Sequence, residues 1–482
     1  MNKTVSIINS ISFQSILLLV ALCTFHLFYE NSWASEQTKH YELSQFISPE
    51  TCGGCHTQIY EQWQGSMHNL ASDDIIFNEI ANAGLVGLSS KDEIEEAEHC
   101  QTCHTPVGYI TGFPRKTSDD RTKIAPIAKQ GIQCDYCHSI TGAYSIYNAQ
   151  FNYSPGNGED DPGVKRGPFK DSDSDYHKSE FSEFHTKSEL CGTCHDVKHI
   201  TSGVWLETTY QEWKQSPYSK QGVQCQDCHM YQRPEYPSTG STKRVKNPGT
   251  AADGSVEREH IFTHYFVGAN MAIPEHYKAI SKEQDQSQGK ENISIISKMA
   301  EERLKNSVDI KIDPKVELKQ QNKADAKNIK SQNSEENRII IRITNNGAGH
   351  EIPTGVSNIR QVWLKVIVKD SKGNVLYKTG IPDKKGYLPP NTISYSTVFG
   401  DGKGNPVDNL AKAREIISDK RLKPMKEKVE KIDIGEFEGK ITVEASLLYS
   451  GLPQNVADSL KGLNGMNIPV VVMKYVKQVV SQ

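Results

Sequence analysis

Five copies of the pattern Cys-x-x-Cys-His between residues 52 and 229 constrain this chain more than any other feature of its sequence. In chain order, motifs 1 to 5 are Cys52-Gly-Gly-Cys55-His56, Cys100-Gln-Thr-Cys103-His104, Cys134-Asp-Tyr-Cys137-His138, Cys191-Gly-Thr-Cys194-His195 and Cys225-Gln-Asp-Cys228-His229. In such a motif the two thiols form thioether bonds to the vinyl groups of a haem, and the adjacent histidine binds the iron.

Other uses of paired cysteines fit this pattern less well. A structural zinc site is built from two Cys-x-x-Cys pairs, so five pairs would leave one pair without a partner. Zinc binding also does not require a histidine directly after the second cysteine of each pair. A thioredoxin-like pair would occur once, in a βαβ setting. The motifs therefore predict five covalently bound haem c groups, attached through ten of the 11 cysteines.

The composition agrees with a chain that packs around a cofactor. Hydrophobic residues make up 36% of the sequence, below the usual share of about 45–50%. Porphyrins would supply the missing apolar surface, so the N-terminal half is predicted not to fold stably without haem. The formal charge of −4, from 55 basic and 59 acidic residues, gives no basic patch that would favour a nucleic-acid partner.

Residues 1–34 are predicted to be a secretory signal peptide. Lys3 precedes an apolar run from Ile16 to Leu22, and the small residues Ser32 and Ala34 suit a cleavage site. Cys23 follows Leu22, which disfavours a lipid anchor because a smaller residue is expected there. No later segment has the roughly 20 apolar residues that span a bilayer. The expected location is periplasmic or extracellular, at the surface of a Gram-negative type of bacterium.

Residues 35–280 are predicted to form the haem domain, which contains traces of a duplication. The pattern Tyr-x-x-Trp-x-x-Ser-x-(His/Tyr) occurs at residues 60–68 and again at residues 210–218. Gly131-Ile-Gln-Cys134 likewise resembles Gly222-Val-Gln-Cys225. The period is irregular, so a solenoid is not indicated.

The C-terminal part has a different pattern. Residues 281–337 are predicted to be a helix and a polar linker, and residues 338–482 alternate apolar and polar side chains in the manner of strands. The segment from Asp370 to Asn374 is typical of a hairpin turn. The predicted class is α+β multidomain, with the haem domain followed by an antiparallel β-sandwich that contains no cysteine.

Ten histidines outside the motifs could supply second iron ligands once the signal peptide is removed. The candidates favoured by their neighbours are His68, His177, His185, His264 and His350; the others are His40, His99, His199, His260 and His276. His350 lies in a loop of the predicted β domain. It could stabilise a turn, or it could reach the haems and link the two domains.

At this point the sequence resembles the cytochrome c-552/c-554 family of multihaem cytochromes. The resemblance rests on the run from Cys52 to His68, on the segment from Glu207 to Met230 and on Gly349-His350-Glu-Ile-Pro-Thr-Gly355. It implies a mostly helical and irregular haem domain, closely stacked haems and mainly bis-histidine irons. Tyr218 departs from the pattern, because it stands where the first repeat has His68, and this leaves one iron with a less obvious ligand.

Three hypotheses about function remain open at this stage. The favoured one is an electron carrier that exchanges electrons with redox proteins or an extracellular acceptor, and it has no catalytic residues. The alternative is an enzyme that reduces or oxidises a small nitrogen or sulfur compound at one five-coordinate haem. The third, compatible with the first, is a homo-oligomer or filament in which a histidine crosses between subunits.

Overall fold

The computed structural model describes residues 41–232, 247–271, 273, 287–318 and 337–481. The predicted signal peptide and two candidate ligands, His40 and His276, lie outside these residues. The described chain divides into a motif region, residues 41–273, and a β region, residues 287–481. This division confirms the predicted α+β class, with a helical N-terminal part and a C-terminal part rich in antiparallel sheet.

The motif region is built from short helices. Its longest helix has 10 residues, and helices of this length are not stable alone in water. Side-chain caps supply part of the missing stabilisation: Asp74 accepts a hydrogen bond from Phe77 N at 3.0 Å, and Ser90 accepts one from Glu93 N at 3.2 Å. The α-helices are α1 (Pro49–Gly53), α2 (Thr57–Gln64), α3 (Met67–Leu70), α4 (Ile75–Gly84), α5 (Lys91–Ala97), α6 (Gln101–His104), α7 (Pro106–Thr111), α8 (Pro126–Lys129), α9 (Cys134–His138), α10 (Ser188–His195), α11 (Thr209–Gln215), α12 (Pro217–Lys220) and α13 (Gln226–His229).

Three small sheets connect these helices. Two are antiparallel and one is parallel, and each has two strands. The pairs are β1 (Ile140–Ala143) with β2 (Phe151–Tyr153), β3 (Val164–Gly167) with β4 (Lys178–Phe181), and β5 (Asp196–Lys198) with β6 (Trp205–Thr208). A small apolar cluster around Tyr136 and Val107 lies beside β1 and β2.

The two repeated segments fold alike. Trp63 Nε1 donates to Ile132 O at 2.9 Å, and Trp213 Nε1 donates to Val223 O at 2.8 Å. The amide groups of the same two acceptor residues also bond to matching positions, with Ile132 N on His68 O and Val223 N on Tyr218 O. The predicted duplication is therefore a structural one. Motifs 1 and 3 form one unit, motifs 4 and 5 form the other, and motif 2 lies in an insertion that the second unit lacks.

The β region contains two large antiparallel sheets and one small one. The first has the order β11-β10-β17-β18 with β12 on β10, the second has the order β16-β9-β7 with β8 on β9, and the third has the order β14-β13-β15. The strands are β7 (Val308–Ile312), β8 (Glu317–Leu318), β9 (Asn337–Asn345), β10 (Gln361–Lys369), β11 (Val375–Thr379), β12 (Ile393–Tyr395), β13 (Thr397–Gly400), β14 (Pro406–Val407), β15 (Glu415–Asp419), β16 (Glu427–Asp433), β17 (Lys440–Ser450) and β18 (Val470–Ser481).

Alternating side chains of the two large sheets meet in one continuous apolar core, as in a sandwich. The predicted turn joins β10 to β11: Asp370 accepts hydrogen bonds from Lys372 N and Asn374 N, each at 2.8 Å. Gly373 has a φ of +89°, which a glycine adopts without strain.

The β region starts earlier than the sequence pattern indicates. The segment predicted as helix and linker, residues 281–337, contains helix α14 (Ser287–Lys305) and the strands β7 and β8. Strand β7 pairs with β9, and Met299 and Leu304 of α14 belong to the sandwich core. The predicted start of the β domain at residue 338 is therefore too late. Strand β7 was not recognised because its partner β9 is separated from it in the sequence.

The two regions also pack on one another. Helix α4 contributes Ile76 to an apolar cluster with Leu452 and Leu463 of the β region, and Glu79 accepts a hydrogen bond from Gly462 N at 2.8 Å. The helix α15 (Gln454–Ser459) lies in this segment. Among the described residues, no helix combines the length and the apolar character that crossing a bilayer requires.

Candidate haem-binding site

One continuous cavity of about 1520 Å³ runs through the motif region and extends to the β region. It is lined by every cysteine and every histidine of the five motifs, and also by His68, His177, His185, His264 and His350. The motifs thus surround a shared interior space, and that arrangement fits several large cofactors packed against each other.

Each motif histidine has its Nδ1 atom beside a protein acceptor. The acceptors are Ala251 O for His56, Ala71 O for His104, Arg166 O for His138, Glu207 Oε1 for His195 and Val267 O for His229. A histidine that donates from Nδ1 keeps the lone pair of Nε2 free for a metal, and such partners orient the ring. All five motif histidines are therefore set to bind iron through Nε2.

Four motif histidines lie opposite a second histidine at nearly the same distance. The ring centres are 6.3 Å apart for His56 and His177, 6.4 Å for His138 and His264, 6.4 Å for His195 and His68, and 6.2 Å for His229 and His350. With metal–nitrogen bonds of about 2 Å and roughly 1.2 Å from nitrogen to ring centre, two imidazoles on one metal would be about 6.4 Å apart. Each pair therefore leaves the space that one iron fills.

The second histidines are held in a similar way to the first. Nδ1 of His177, His264 and His350 lies beside Lys178 O, Phe262 O and Glu351 O, respectively. Burial lowers the pKa of His68 and of His264 to about 3. These rings are therefore neutral at physiological pH, which is the state that binds a metal.

His185 has a different environment from the other four predicted ligands. Its ring is 5.7 Å from that of His138, but its Nε2 lies 3.1 Å from Cys137 O and its Nδ1 lies 2.9 Å from Ser182 Oγ. Both nitrogens are thus occupied by protein oxygens. The position opposite His138 at the distance of the other pairs belongs to His264.

His104 of motif 2 has no second histidine ring opposite it in the part of the chain that the structure describes. Instead, the ring of Phe77 lies parallel to its imidazole, with the centres 3.5 Å apart and the planes 2° apart. Burial lowers the pKa of His104 to about 4. The site in the insertion therefore has a first ligand and, among the described residues, no histidine as a second.

The remaining candidates serve other purposes. His199 is buried, and its Nε2 lies 3.1 Å from Ala411 O of the β region, while Thr201 N and Ser202 N point at its Nδ1. His99 contacts Tyr109 edge-on, and the ring of His260 lies against Tyr231. None of the three forms a ring pair with a motif histidine among the described residues.

His350 reaches the motif region because its loop packs on the second repeat. Gly349 lies against Trp213 and Tyr218, where a Cβ would be 3.4 Å from the indole ring. Tyr218, which replaces a histidine at this position of the repeat, donates a hydrogen bond to Asn346 O of the same loop at 2.8 Å. The tyrosine thus holds the loop that carries the histidine.

Buried charges fix this loop in place. Glu212 of α11 accepts hydrogen bonds from Glu351 N at 3.0 Å and from Thr354 Oγ1 at 2.7 Å. The same carboxylate pairs with Arg421, which also lies 3.0 Å from Glu351 and 2.8 Å from Asp419. The Arg421 side chain is 8% exposed and that of Glu212 is 4% exposed. Sequence reasoning missed this cluster, because Glu212 and Arg421 are 209 residues apart in the chain.

Thiols that shift one another's pKa give the order of the motifs in space. Cys134 lowers the pKa of Cys52, Cys194 that of Cys103, and Cys191 that of Cys225. The electrostatic influence of Cys137 on Cys191 and Cys194 connects motif 3 to motif 4. Motif 4 is therefore next to motifs 2, 3 and 5, whereas motif 1 is next to motif 3.

Two comparisons with known proteins agree with this geometry. Residues 51–139, which contain motifs 1 to 3, match the family described as cytochrome c554 and c-prime. The fold is similar to that of a penta-heme cytochrome c552 from Thermochromatium tepidum, with a TM-score of 0.57 and 19% identity. That similarity covers 90% of this chain and 99% of the other. No curated protein matches the sequence.

The family match, the shared fold and the motifs confirm the resemblance seen in the sequence. Residues 51–139 of this chain thus resemble the cytochrome c554 family, and the chain as a whole has a fold similar to that of a penta-heme cytochrome c552.

Proposed function

We propose that this protein is an exported pentahaem electron carrier in which four of the five irons are closed by two histidines. The observation that carries the proposal is the set of four histidine pairs with ring centres 6.2–6.4 Å apart. In this proposal His177 serves the haem of motif 1, His264 that of motif 3, His68 that of motif 4 and His350 that of motif 5.

An iron with two histidine ligands has no free position, so electrons pass and substrates do not bind. The chain then controls each potential through burial, ligand hydrogen bonds and nearby charge. The carboxylate of Glu207, 3.6 Å from His195 Nδ1, is one such control. Burial opposes the charging of His195, but Glu207 outweighs it and raises the pKa of the ring. A more basic imidazole stabilises the oxidised iron, so the haem of motif 4 should have a low potential.

The order of the thiol contacts supports a branched haem array. Electrons would pass between the haems of motifs 1, 3, 4 and 5 in that order, with the haem of motif 2 as a side branch from that of motif 4. The ends of this path would exchange electrons with redox proteins in the periplasm or with an acceptor outside the cell. A homo-oligomer or filament would extend the path, and size-exclusion chromatography with negative-stain microscopy of the native protein tests for one.

The experiment for this proposal combines intact mass with electron paramagnetic resonance of the oxidised protein. Five haem additions are expected, with four low-spin centres of the bis-histidine type. Fewer than five additions, or more than one high-spin centre, would contradict the proposal. A structure of the haem-loaded protein would then identify which irons lack the second histidine.

A second candidate function rests on His104. The sequence placed the possible open iron at Tyr218, but His350 lies at that end of the second repeat. Among the described residues, it is instead His104 that has only the ring of Phe77 against its own. The haem of motif 2 is then the one that could bind a small nitrogen or sulfur compound. Arg121 lies close enough to lower the pKa of His104, although burial has the larger effect, and such a cation favours an anionic ligand.

Carbon monoxide and nitrite distinguish the two candidate functions. If the haem of motif 2 is open, the reduced protein should bind one carbon monoxide per chain, and His104→Ala should abolish that binding. No spectral change with either ligand would leave the electron carrier as the only function. Turnover of nitrite or hydroxylamine with a chemical reductant is required before the protein is called an enzyme.

A further inference from the structure

Arg303 is a half-buried cation beside motif 5. It lies near the end of α14, and its Nη2 atom donates to Cys228 O at 2.7 Å and to Gln232 Oε1 at 2.8 Å. Cys228 is the second thiol of motif 5. The guanidinium is therefore fixed to the backbone of that motif by two neutral acceptors, and the side chain lines the cavity.

No carboxylate of the described residues forms an ion pair with Arg303. Its Nε atom is buried and has no hydrogen-bond partner. Burying an unpaired charge costs several kcal/mol, so a buried guanidinium is normally paired with an anion. Loss of contact with water disfavours the charged form and lowers the pKa of Arg303.

The charge of Arg303 acts on both histidines of this site. Burial is the main reason for the lowered pKa of His229 and of His350, and the positive charge of Arg303 lowers each of them further. Arg303 is only half-buried, and its side chain lines the cavity. An anion that pairs with it is therefore expected within the cavity.

We propose that Arg303 binds a propionate carboxylate of the haem attached to motif 5 and raises the reduction potential of that haem. The inference rests on the proposed pentahaem function. A planar guanidinium binds a carboxylate through strong, charge-assisted hydrogen bonds, and the Arg303 side chain lines the cavity that would hold such a group. Each haem carries two such carboxylates, and they are the anions that the cofactor brings into this cavity.

Helix α14 would then connect the haem site of motif 5 with both the motif region and the β region. Met299 and Leu304 anchor α14 in the sandwich core, while Gln232 Nε2 donates to Met299 O at 3.0 Å. Because α14 contacts both regions, Arg303 has a fixed position in the folded protein. Together with His350, it makes the haem of motif 5 the one whose properties depend on the β region.

The direct test is a structure of the haem-loaded wild-type protein. A propionate oxygen of the motif 5 haem should lie within about 4 Å of the Arg303 guanidinium. A guanidinium that contacts only water or protein groups would overturn the proposal.

The second test measures potentials in Arg303→Gln, Arg303→Lys and the control Lys305→Gln. Lys305 lies on the same helix, 52% exposed, and pairs with Glu301 at 2.6 Å, so its replacement removes an equal charge from the solvent side. At pH 8, Arg303→Gln should weaken reduction of the motif 5 haem about tenfold, which is about 59 mV for one electron. Arg303→Lys should keep most of the wild-type potential.

Equal potentials in Arg303→Gln and Lys305→Gln would refute the proposal. The haem of motif 5 is identified as the one whose spectrum changes in His350→Met. Intact mass distinguishes a failure of the proposed function from a failure of the role of Arg303. A wild-type protein with fewer than five haems contradicts the proposed function. Five haems with potentials that do not change in Arg303→Gln contradict only the role of Arg303. If Arg303→Gln does not retain its haems, Arg303→Lys and the wild-type structure decide.

Discussion

The motif region and the β region bury apolar surface in opposite ways. In the β region, alternating side chains of β9, β10 and β17 close on one another in a continuous core. In the motif region, the main apolar cluster around Val107 and Tyr136 is small, and the centre is a cavity of about 1520 Å³. The comparison shows that one region has a core of its own, while the other surrounds a cavity that the proposed haems would fill.

The largest expected effect is that loss of haem attachment unfolds one region only. If all ten motif cysteines are changed to serine, the motif region should be degraded by a protease within minutes, because its short helices have nothing to pack on. The β region, residues 287–481, should survive as a resistant fragment. Limited proteolysis followed by mass spectrometry measures both.

The haem-loaded wild-type protein is the control for this experiment, and both of its regions should resist. Equal protection of both regions in the cysteine-free variant would show that the motif region has a sufficient core of its own.

The second prediction concerns the charges that join the two regions. Arg421→Ala leaves Glu212 and Glu351 buried without their cation, which should lower the free energy of unfolding by about 3–5 kcal/mol. Arg342 is the matched control, because it pairs with Asp313 at 2.9 Å and Glu427 at 2.8 Å but is 35% exposed. Its replacement by alanine should cost about 1 kcal/mol or less.

Denaturation by guanidinium chloride, followed by circular dichroism, measures both variants. Similar losses for Arg421→Ala and Arg342→Ala would mean that the buried cluster does not connect the regions energetically.

The third prediction tests the one ligand that crosses between the regions. His350→Ala should convert one haem of the five from low spin to high spin, because no other described histidine lies opposite His229. His185→Ala is the control and should leave every haem low-spin, since both ring nitrogens of His185 bind protein oxygens. Electron paramagnetic resonance of the oxidised variants distinguishes the two. A high-spin signal from His185→Ala alone would reverse the assignment.

The smallest expected effect is a pH dependence of stability, which arises where the loop of His199 contacts Ala411 of the β region. Glu96 accepts a hydrogen bond from Ile200 N at 2.6 Å and supports the loop whose His199 contacts Ala411. Burial raises the pKa of Glu96 from 4.5 to about 7. Between these values the folded state holds the proton and the unfolded state does not, so stability falls as the pH rises through 7.

Glu96→Gln should remove this dependence. Between pH 5 and pH 8 the wild type is expected to lose about 2 kcal/mol or less relative to the variant. Thermal unfolding at both pH values measures the difference, and parallel losses in the two proteins would assign the pH dependence to other groups.

Several elements could be predicted from the sequence because their signals are local. The strands of the sandwich alternate apolar and polar residues, and the turn after β10 has its aspartate and glycine within five residues. The repeated tryptophans also predicted a duplication, which the matching bonds of Trp63 and Trp213 confirm. The early strand β7 was missed because its partner β9 lies far along the chain.

The choice among the candidate histidines could not be made from the sequence. His185 and His264 have comparable neighbours in the chain, yet only His264 has a free Nε2 at the spacing of an iron site from His138. Likewise, nothing local to His104 indicates that Phe77 lies on its ring.

The sequence by itself determined the candidate first ligand of each proposed haem, since the two thiols and the histidine of a motif lie within five residues and carry the whole attachment chemistry. Only the tertiary structure selected the candidate second ligands and the charges around them. His350 and Arg303 come from segments that lie far beyond motif 5 in the chain and pack against it only when the sandwich forms. Distance along the chain carries no information about such contacts, because the fold alone brings these residues together.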